Sequence, residues 1–143
     1  MDHWPLIDAN QQTFYKTVFV ADSDDRGTTW RNLRPVTTVH GQCHGFALGL
    51  SDGSVVMSHD HRYPPGTTCG RAMISRDEGR TWADEVYYLY YGANMNGFSQ
   101  SVELDDGMIL TVGVTVDGRP THDYEATAGH AIATAIRWQP ESR

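Results

Sequence analysis

The stretch S-D-D-R-G-T-T-W at residues 23–30 occurs twice, since S-R-D-E-G-R-T-W occupies residues 75–82. The two copies share Ser, Asp, Gly, Thr and Trp at the same spacing and begin 52 residues apart. A second pair of similar stretches, L-S-D-G-S-V-V-M-S from Leu50 and L-D-D-G-M-I-L-T-V from Leu104, is separated by 54 residues. Two independent features with nearly the same period indicate a repeated structural unit.

The repeated unit has the pattern of short β-strands. Apolar or aromatic runs at residues 46–50, 55–58, 71–75 and 85–91 are separated by Asp-Gly or Glu-Gly, which is typical of hairpins. No segment of ten or more residues shows a clear helical period, so we expect helix to be nearly absent. A period of about 50 residues with four strands is typical of a propeller blade.

The octapeptide fits a turn between the third and fourth strands of such a unit. Its aspartate can accept hydrogen bonds from amides of its own loop, and its glycine can adopt a positive φ. Its tryptophan would begin the next strand and offer an apolar face to the neighbouring blade. We therefore interpret ten residues as structural: Ser23, Asp25, Gly27, Thr29, Trp30, Ser75, Asp77, Gly79, Thr81 and Trp82.

Composition excludes several classes of protein. A length of 143 residues with 39% hydrophobic and 20% charged residues predicts one globular domain. No apolar run reaches the roughly 18 residues of a membrane helix, and a net charge of −7 without a basic cluster argues against nucleic acid. No signal peptide is visible, so the cellular compartment stays open.

The octapeptide pattern Ser-x-Asp-x-Gly-x-Thr-Trp resembles the Asp-box, or bacterial neuraminidase repeat. Residues 97–112, G-F-S-Q-S-V-E-L-D-D-G-M-I-L-T-V, followed by H-A-I-A-T-A-I-R-W at 130–138, are similar to the final blade of sialidase-like six-bladed propellers. This resemblance covers roughly residues 14–138. It implies an all-β propeller of the six-bladed sialidase type.

The chain is too short for all six blades. Residues 13–34 would end one blade, residues 40–91 would form a complete one, and residues 97–138 a last blade without its fourth strand. Propellers have typically about four to eight blades. We therefore expect the remaining blades from a longer parent chain or, as the alternative, from a second copy in a homodimer.

Blade topology predicts a polar mouth on the rim opposite the Asp-boxes, formed by residues 40–45, 59–70, 92–99 and 117–129. Six of the seven histidines lie in or beside these segments. Such a gathering of titratable groups is typical of a binding or catalytic face. The candidates for catalysis at this mouth are Arg62, His59, His61, Asp60 and His44.

We expect no metal and no cofactor, because His59 and His61 have no further ligands at recognisable spacing. Cys43 and Cys69 are either two thiols or one disulfide, and the pattern leaves both alternatives open.

The resemblance implies a retaining glycosidase that grips a substrate carboxylate with three arginines and uses an aspartate acid/base and a tyrosine nucleophile. Arg62 or Arg71 would match the third arginine. The Gly-Tyr-Ser segment that carries the nucleophile reads Gly-Phe-Ser here, and Phe98 has no hydroxyl to attack a sugar. Tyr63, Tyr124 and the tyrosines of residues 87–91 are the alternatives, although the last group is better explained as packed strand residues. The substrate-binding candidates are Arg62, Arg71, Phe98, Ser99 and Tyr63.

Three function classes remain open. The sequence favours a glycan-processing protein of the sialidase superfamily that acts on terminal sugars, with a carbohydrate as its ligand. The alternatives are a non-catalytic glycan-binding propeller, in which Phe98 would lie under a sugar ring, and a structural or protein-interaction propeller.

Overall fold

The structure, a computed structural model, describes residues 7–8, 13–14, 17–36, 41–61, 69–82, 86–91, 99–116 and 131–141. Within these ranges the chain forms eleven β-strands and no helix. The all-β fold class is therefore confirmed. The described residues contain no helix of the length and apolarity that a membrane span requires.

The strands form one short pair and three antiparallel sheets that follow the chain order. The short pair consists of β1 (Ile7–Asp8) and β2 (Thr13–Phe14). The first sheet consists of β3 (Phe19–Asp22) and β4 (Arg31–Pro35). The second sheet consists of β5 (Gln42–Gly49), β6 (Val55–His61), β7 (Cys69–Ser75) and β8 (Val86–Tyr91). The third sheet consists of β9 (Gln100–Glu103), β10 (Ile109–Val116) and β11 (Ala131–Trp138).

The first and second sheets pack face to face. Met57 and Met73 are paired across β6 and β7, and both pack in one buried cluster with Val18 and Val36 beside the first sheet. A Cβ atom added to Gly45 would lie 2.7 Å from a methyl group of Val18. The Val18 side chain therefore occupies the space that a larger residue at position 45 would need.

The opposite face of the second sheet packs on the third sheet. Val56 of β6 pairs with Ile74 of β7, and each is the sequence neighbour of one of the two methionines, so their side chains point to the opposite face. They lie in a second buried cluster with Ile109 of β10. Tyr87 and Trp138 extend this contact, with ring centroids 5.2 Å apart. Because both faces are covered, the central strand β6 is buried along almost its whole length. Truncating a buried isoleucine here is expected to cost about 2–5 kcal/mol.

A buried chain of hydroxyl groups also joins the second and third sheets. Trp138 Nε1 donates to Thr111 Oγ1 at 2.9 Å, and Thr111 Oγ1 lies 2.9 Å from Ser101 Oγ. Ser101 Oγ donates to Ser58 Oγ at 3.3 Å. Since a serine hydroxyl has a single proton, Thr111 must be the donor to Ser101. The chain satisfies buried polar groups and fixes the position of one sheet on the other.

The first octapeptide is a turn between β3 and β4, held by its own side chains. Ser23 Oγ donates to Asp25 Oδ1 at 2.9 Å and accepts from the Gly27 amide at 2.7 Å. Asp25 also accepts from the Thr29 amide at 2.8 Å and from the Thr29 hydroxyl at 2.7 Å. Gly27 adopts a φ of 86°, as its place in the turn requires.

The second octapeptide, between β7 and β8, repeats this network. Ser75 Oγ donates to Asp77 Oδ1 and accepts from the Gly79 amide, both at 2.8 Å. Asp77 accepts from the Thr81 amide at 2.8 Å and from its hydroxyl at 2.6 Å. In both turns these hydrogen bonds, above all those from the threonine, lower the pKa of the aspartate to about 2.

The two tryptophans differ in their surroundings. Trp82 packs against the cluster between the first and second sheets, whereas Trp30 is 66% exposed and donates to the Gly27 carbonyl at 3.1 Å. In the second turn the equivalent carbonyl, that of Gly79, accepts instead from Arg34 of the first sheet, at 3.1 and 2.5 Å. Of the two tryptophans, Trp82 therefore contributes to packing between two sheets, whereas the apolar face of Trp30 is mostly exposed.

The two turns allow a matched test of burial. Ser75 is fully buried, whereas Ser23 makes the same hydrogen bonds at the surface. Ser75→Ala should lower the free energy of unfolding by about 1–3 kcal/mol, because the Gly79 amide is left without its acceptor. Ser23→Ala should cost clearly less, since water replaces the hydroxyl. Chemical denaturation of both variants measures the difference, and equal losses would contradict the burial argument.

The two aspartates predict a loss of stability in acid. Their folded pKa of about 2 lies below the ordinary value of 3.8, so the unfolded chain takes up protons first as the pH falls. The stabilisation is thus complete above the ordinary value and disappears as the pH falls toward about 2. Melting temperatures across this range should drop less for the double variant Asp25→Asn, Asp77→Asn than for the parent chain. Identical drops would show that other groups cause the acid sensitivity.

Candidate functional site

The candidate site lies where β5 begins, β6 ends and β7 begins. The Asp-Gly turn after β5 and the second octapeptide after β7 both lie at the other end of the second sheet. The third sheet has the same orientation, since Glu103 at the end of β9 accepts from the Ser51 amide and hydroxyl, both at 2.8 Å. His44 and the residues from His59 to His61 are therefore at the end away from the octapeptide turns.

The three residues His59, Asp60 and His61 belong to strand β6, and not to a loop as the sequence pattern indicated. They pair with Arg71, Gly70 and Cys69 of β7, and their exposed fractions are 0%, 0% and 5%. The apolar pattern ends before them, but the backbone pairing continues because neighbouring strands lie on both sides. The sequence predicted that these three residues line an open mouth. In the structure they form a buried polar layer instead.

The regular pairing of β6 with β7 divides the candidate residues between two faces of the second sheet. His59, His61 and Arg71 alternate in step with Met57 and therefore face the first sheet. Asp60 alternates in step with Ser58, whose hydroxyl bonds to the third sheet, and therefore faces the third sheet. The structure thus brings the Asp60 carboxylate together with the His44 side chain.

His44 and Asp60 are in polar contact at this end. His44 Nδ1 lies 3.1 Å from Asp60 Oδ2, the carboxylate is fully buried, and the imidazole is one quarter exposed. His44 has a φ of 56° within an irregular section of the β5–β6 pairing. A positive φ in a residue other than glycine costs roughly 1–3 kcal/mol, and the contact with a buried carboxylate offsets that cost.

This contact defines what the histidine can do chemically. An ionised carboxylate only accepts hydrogen bonds, so His44 Nδ1 is the donor. In a neutral imidazole the second nitrogen then carries the lone pair that can accept a proton. A carboxylate that orients a histidine in this way is the arrangement used for general acid–base chemistry in many hydrolases.

His59 is a second histidine with a fixed tautomer. Its Nδ1 lies 3.0 Å from the Asp60 backbone carbonyl and must donate to it, while its buried Nε2 has no hydrogen-bond partner in the described part of the chain. Burial lowers the pKa of His59, and the nearby charges of His61 and Arg71 lower it further. His59 is therefore a neutral imidazole inside the protein.

Arg71 and Tyr88 form a cationic and aromatic pair on the side of the first sheet. The guanidinium donates to the Tyr88 hydroxyl at 2.6 Å, and its Cζ lies 4.5 Å from the centre of the ring. Tyr88 is 60% exposed, whereas Tyr87 packs on Trp138. This alternation agrees with the two-residue period of residues 86–91.

The remaining candidates are placed as follows. Ser99 is buried directly before β9, while Arg62, Tyr63, Phe98 and Tyr124 lie outside the described residues. Cys69 is a buried thiol without a disulfide, and burial raises its pKa. No group of three or more His, Cys, Asp or Glu residues suited to a metal ion occurs in the described ranges.

Sequence reasoning missed one buried polar residue in this layer. Gln42 pairs with His61, is 3% exposed, and its Oε1 has no hydrogen-bond partner among the described residues. Nothing in the local pattern marks it, because its burial follows from the extension of β5 beyond the apolar run that begins at Phe46.

Comparison of the chain with protein-family models, with curated protein sequences and with solved structures gave no match. The interpretation of this end of the molecule therefore depends on its own residues and contacts.

The buried state of His59 predicts a specific titration. Its folded pKa lies below the ordinary value of 6.5, so the unfolded chain binds the proton first and stability falls as the pH drops below that value. NMR titration should show a His59 midpoint below 6.5, with the resonance assigned through His59→Gln. A midpoint at or above the ordinary value would mean that the imidazole is in contact with water or with an anion.

Proposed function

We propose that this chain belongs to a sialidase-like propeller that processes glycans, with the sugar-binding site at the strand ends that carry His44 and Asp60. Three antiparallel sheets packed in chain order support the propeller part of the proposal. The two turns with one hydrogen-bond network support the Asp-box part. The chain would then supply some of the blades of a ring, and its sugar site would lie at the mouth.

The observation that carries the proposal is the contact between His44 and the buried carboxylate of Asp60. Cleavage of a glycosidic bond requires proton transfer by a positioned side chain. His44 is partly exposed and is held by Asp60 in the tautomer that accepts a proton at Nε2. In this proposal His44 Nε2 takes a proton from a water whose oxygen bonds to the anomeric carbon, while the glycosidic C–O bond breaks and the leaving oxygen takes a proton from solvent. Water is the nucleophile because Phe98 has no hydroxyl that could act as the nucleophile of a sialidase.

Arg71 is the candidate for recognition of an acidic sugar. A guanidinium matches a carboxylate with two parallel hydrogen bonds, and the exposed ring of Tyr88 offers an apolar surface beside it. Because Arg71 and the pair of His44 and Asp60 face opposite sides of the second sheet, a sugar that contacts both Arg71 and His44 must lie across the strand ends.

A second candidate is a glycan-binding propeller without catalysis. The phenylalanine at position 98 favours it, since an aromatic ring can stack under a sugar while no hydroxyl is present for attack.

The test is release of terminal sugars from a panel of glycans, with and without sialic acid, by the 143-residue chain. His44→Ala and Asp60→Asn should reduce release by about 10²–10⁴-fold, the usual contribution of a general acid or base. Arg80→Ala is the control, because Arg80 is exposed at the octapeptide end. Binding without release would support the second candidate. A folded chain that neither binds nor releases any glycan would contradict both.

A further inference from the structure

The face of the second sheet toward the first sheet carries buried polar atoms that have no hydrogen-bond partner in the described part of the chain. His59 Nε2, Gln42 Oε1 and Arg71 Nε are atoms of this kind. The side chains of His59 and Gln42 belong to residues that are 0% and 3% exposed, so bulk solvent does not reach them. Buried polar atoms in native proteins are paired with the chain or with an enclosed water, because leaving them unpaired is costly. These atoms therefore indicate a site for a further polar group.

Strand register brings the three side chains into one layer. His59 of β6 pairs directly with Arg71 of β7, and residues in such a pair have Cβ atoms about 4.5–5.5 Å apart. Gln42 of β5 pairs with His61, which is the next residue after His59 on the same face. Gln42 is thus a diagonal neighbour of His59, a separation that a long side chain can span.

The donor and acceptor properties of these atoms fit one water molecule. His59 Nδ1 donates to the Asp60 carbonyl, so the neutral imidazole can only accept at Nε2. The amide oxygen of Gln42 also only accepts, whereas the Nε atom of an arginine only donates. A water donates twice and accepts as well, and buried waters typically make about three hydrogen bonds to otherwise unpaired groups. A donor at Nε2 also favours the neutral form of His59, in agreement with its lowered pKa.

Arg71 has uncharged partners among the described residues. Its guanidinium donates to the Tyr88 hydroxyl at 2.6 Å. It is also close to the thiol of Cys69, whose pKa is raised by burial, so that the thiol is uncharged. The Asp60 carboxylate lies on the opposite face of the sheet, in contact with His44. Within the described residues, therefore, no carboxylate neutralises the charge of Arg71.

We propose that His59 and Gln42 are positioning residues that orient Arg71 through one enclosed water molecule. The water accepts from Arg71 Nε and donates to His59 Nε2 and to Gln42 Oε1. Because a water and two uncharged side chains hold the guanidinium, its orientation is fixed while its charge stays available to an acid group of a ligand. The consequence for acidic sugars rests on the proposed glycan function, whereas the water bridge itself does not.

The water bridge can be tested by NMR on the full 143-residue chain, through the Nε–H proton of Arg71, assigned with Arg71→Lys. In the parent chain this proton should exchange slowly with solvent and show a nuclear Overhauser contact with a long-lived water. His59→Leu should speed up the exchange by about tenfold and remove the contact with water, since an acceptor is lost. His59→Gln is the matched control, because an amide oxygen can accept in place of Nε2, and it should retain both signals.

Equal exchange rates in the parent chain and in His59→Leu would overturn the proposal, and so would a slowly exchanging proton without a contact to water. Should His59→Leu fail to fold, Gln42→Met decides, because it removes the amide from a side chain of similar length. This variant should speed up the exchange by about twofold to threefold, since the water keeps its other two partners. An unchanged rate in Gln42→Met would then overturn the proposal.

Binding of sialic acid and of its uncharged methyl ester tests the consequence for a ligand. His59→Leu should weaken binding of the acid by about tenfold and leave binding of the ester unchanged, while His59→Gln should bind both like the parent chain. Equal losses for the acid and the ester would overturn the positioning role. A parent chain that binds neither compound would contradict recognition of acidic sugars by Arg71, and the exchange of the Arg71 proton would then decide the water bridge alone.

Discussion

Burial of the second sheet on both faces is the constraint on which the rest of this structure depends. One set of alternating residues, represented by Met57 and Met73, contacts the first sheet, and the other, represented by Val56 and Ile74, contacts the third. In β6 this burial continues into the polar residues at the end of the strand, from His59 to His61. The polar residues that continue β6 must therefore find partners inside the protein.

The contact between His44 and Asp60 follows from that constraint. A carboxylate with no exposed surface needs a donor, and the irregular pairing of β5 with β6 turns His44 toward it. The same enclosure leaves His59 neutral. The same contact therefore stabilises the buried Asp60 carboxylate and orients His44, which is the member of the pair that solvent can reach.

Sequence periodicity predicted the all-β class and the positions of most strands in the second and third sheets, because strand alternation and Asp-Gly turns are local signals. The predicted strand at residues 55–58 ended three residues before the end of β6, since the polar residues from His59 to His61 carry no apolar signal. Sequence periodicity also treated the two tryptophans alike. Trp30 and Trp82 differ because Trp82 packs against the cluster between the first and second sheets, whereas Trp30 is mostly exposed.

The sequence by itself determined the two octapeptide turns, since each network lies within eight residues and needs no partner from elsewhere in the chain. Tertiary structure alone decided which polar residues are buried and which of them meet. That outcome depends on strand register and on the faces of neighbouring sheets, and both are set by contacts between residues far apart in the chain. His44 and Asp60 are separated by sixteen positions, and only the antiparallel pairing of β5 with β6 brings them into contact.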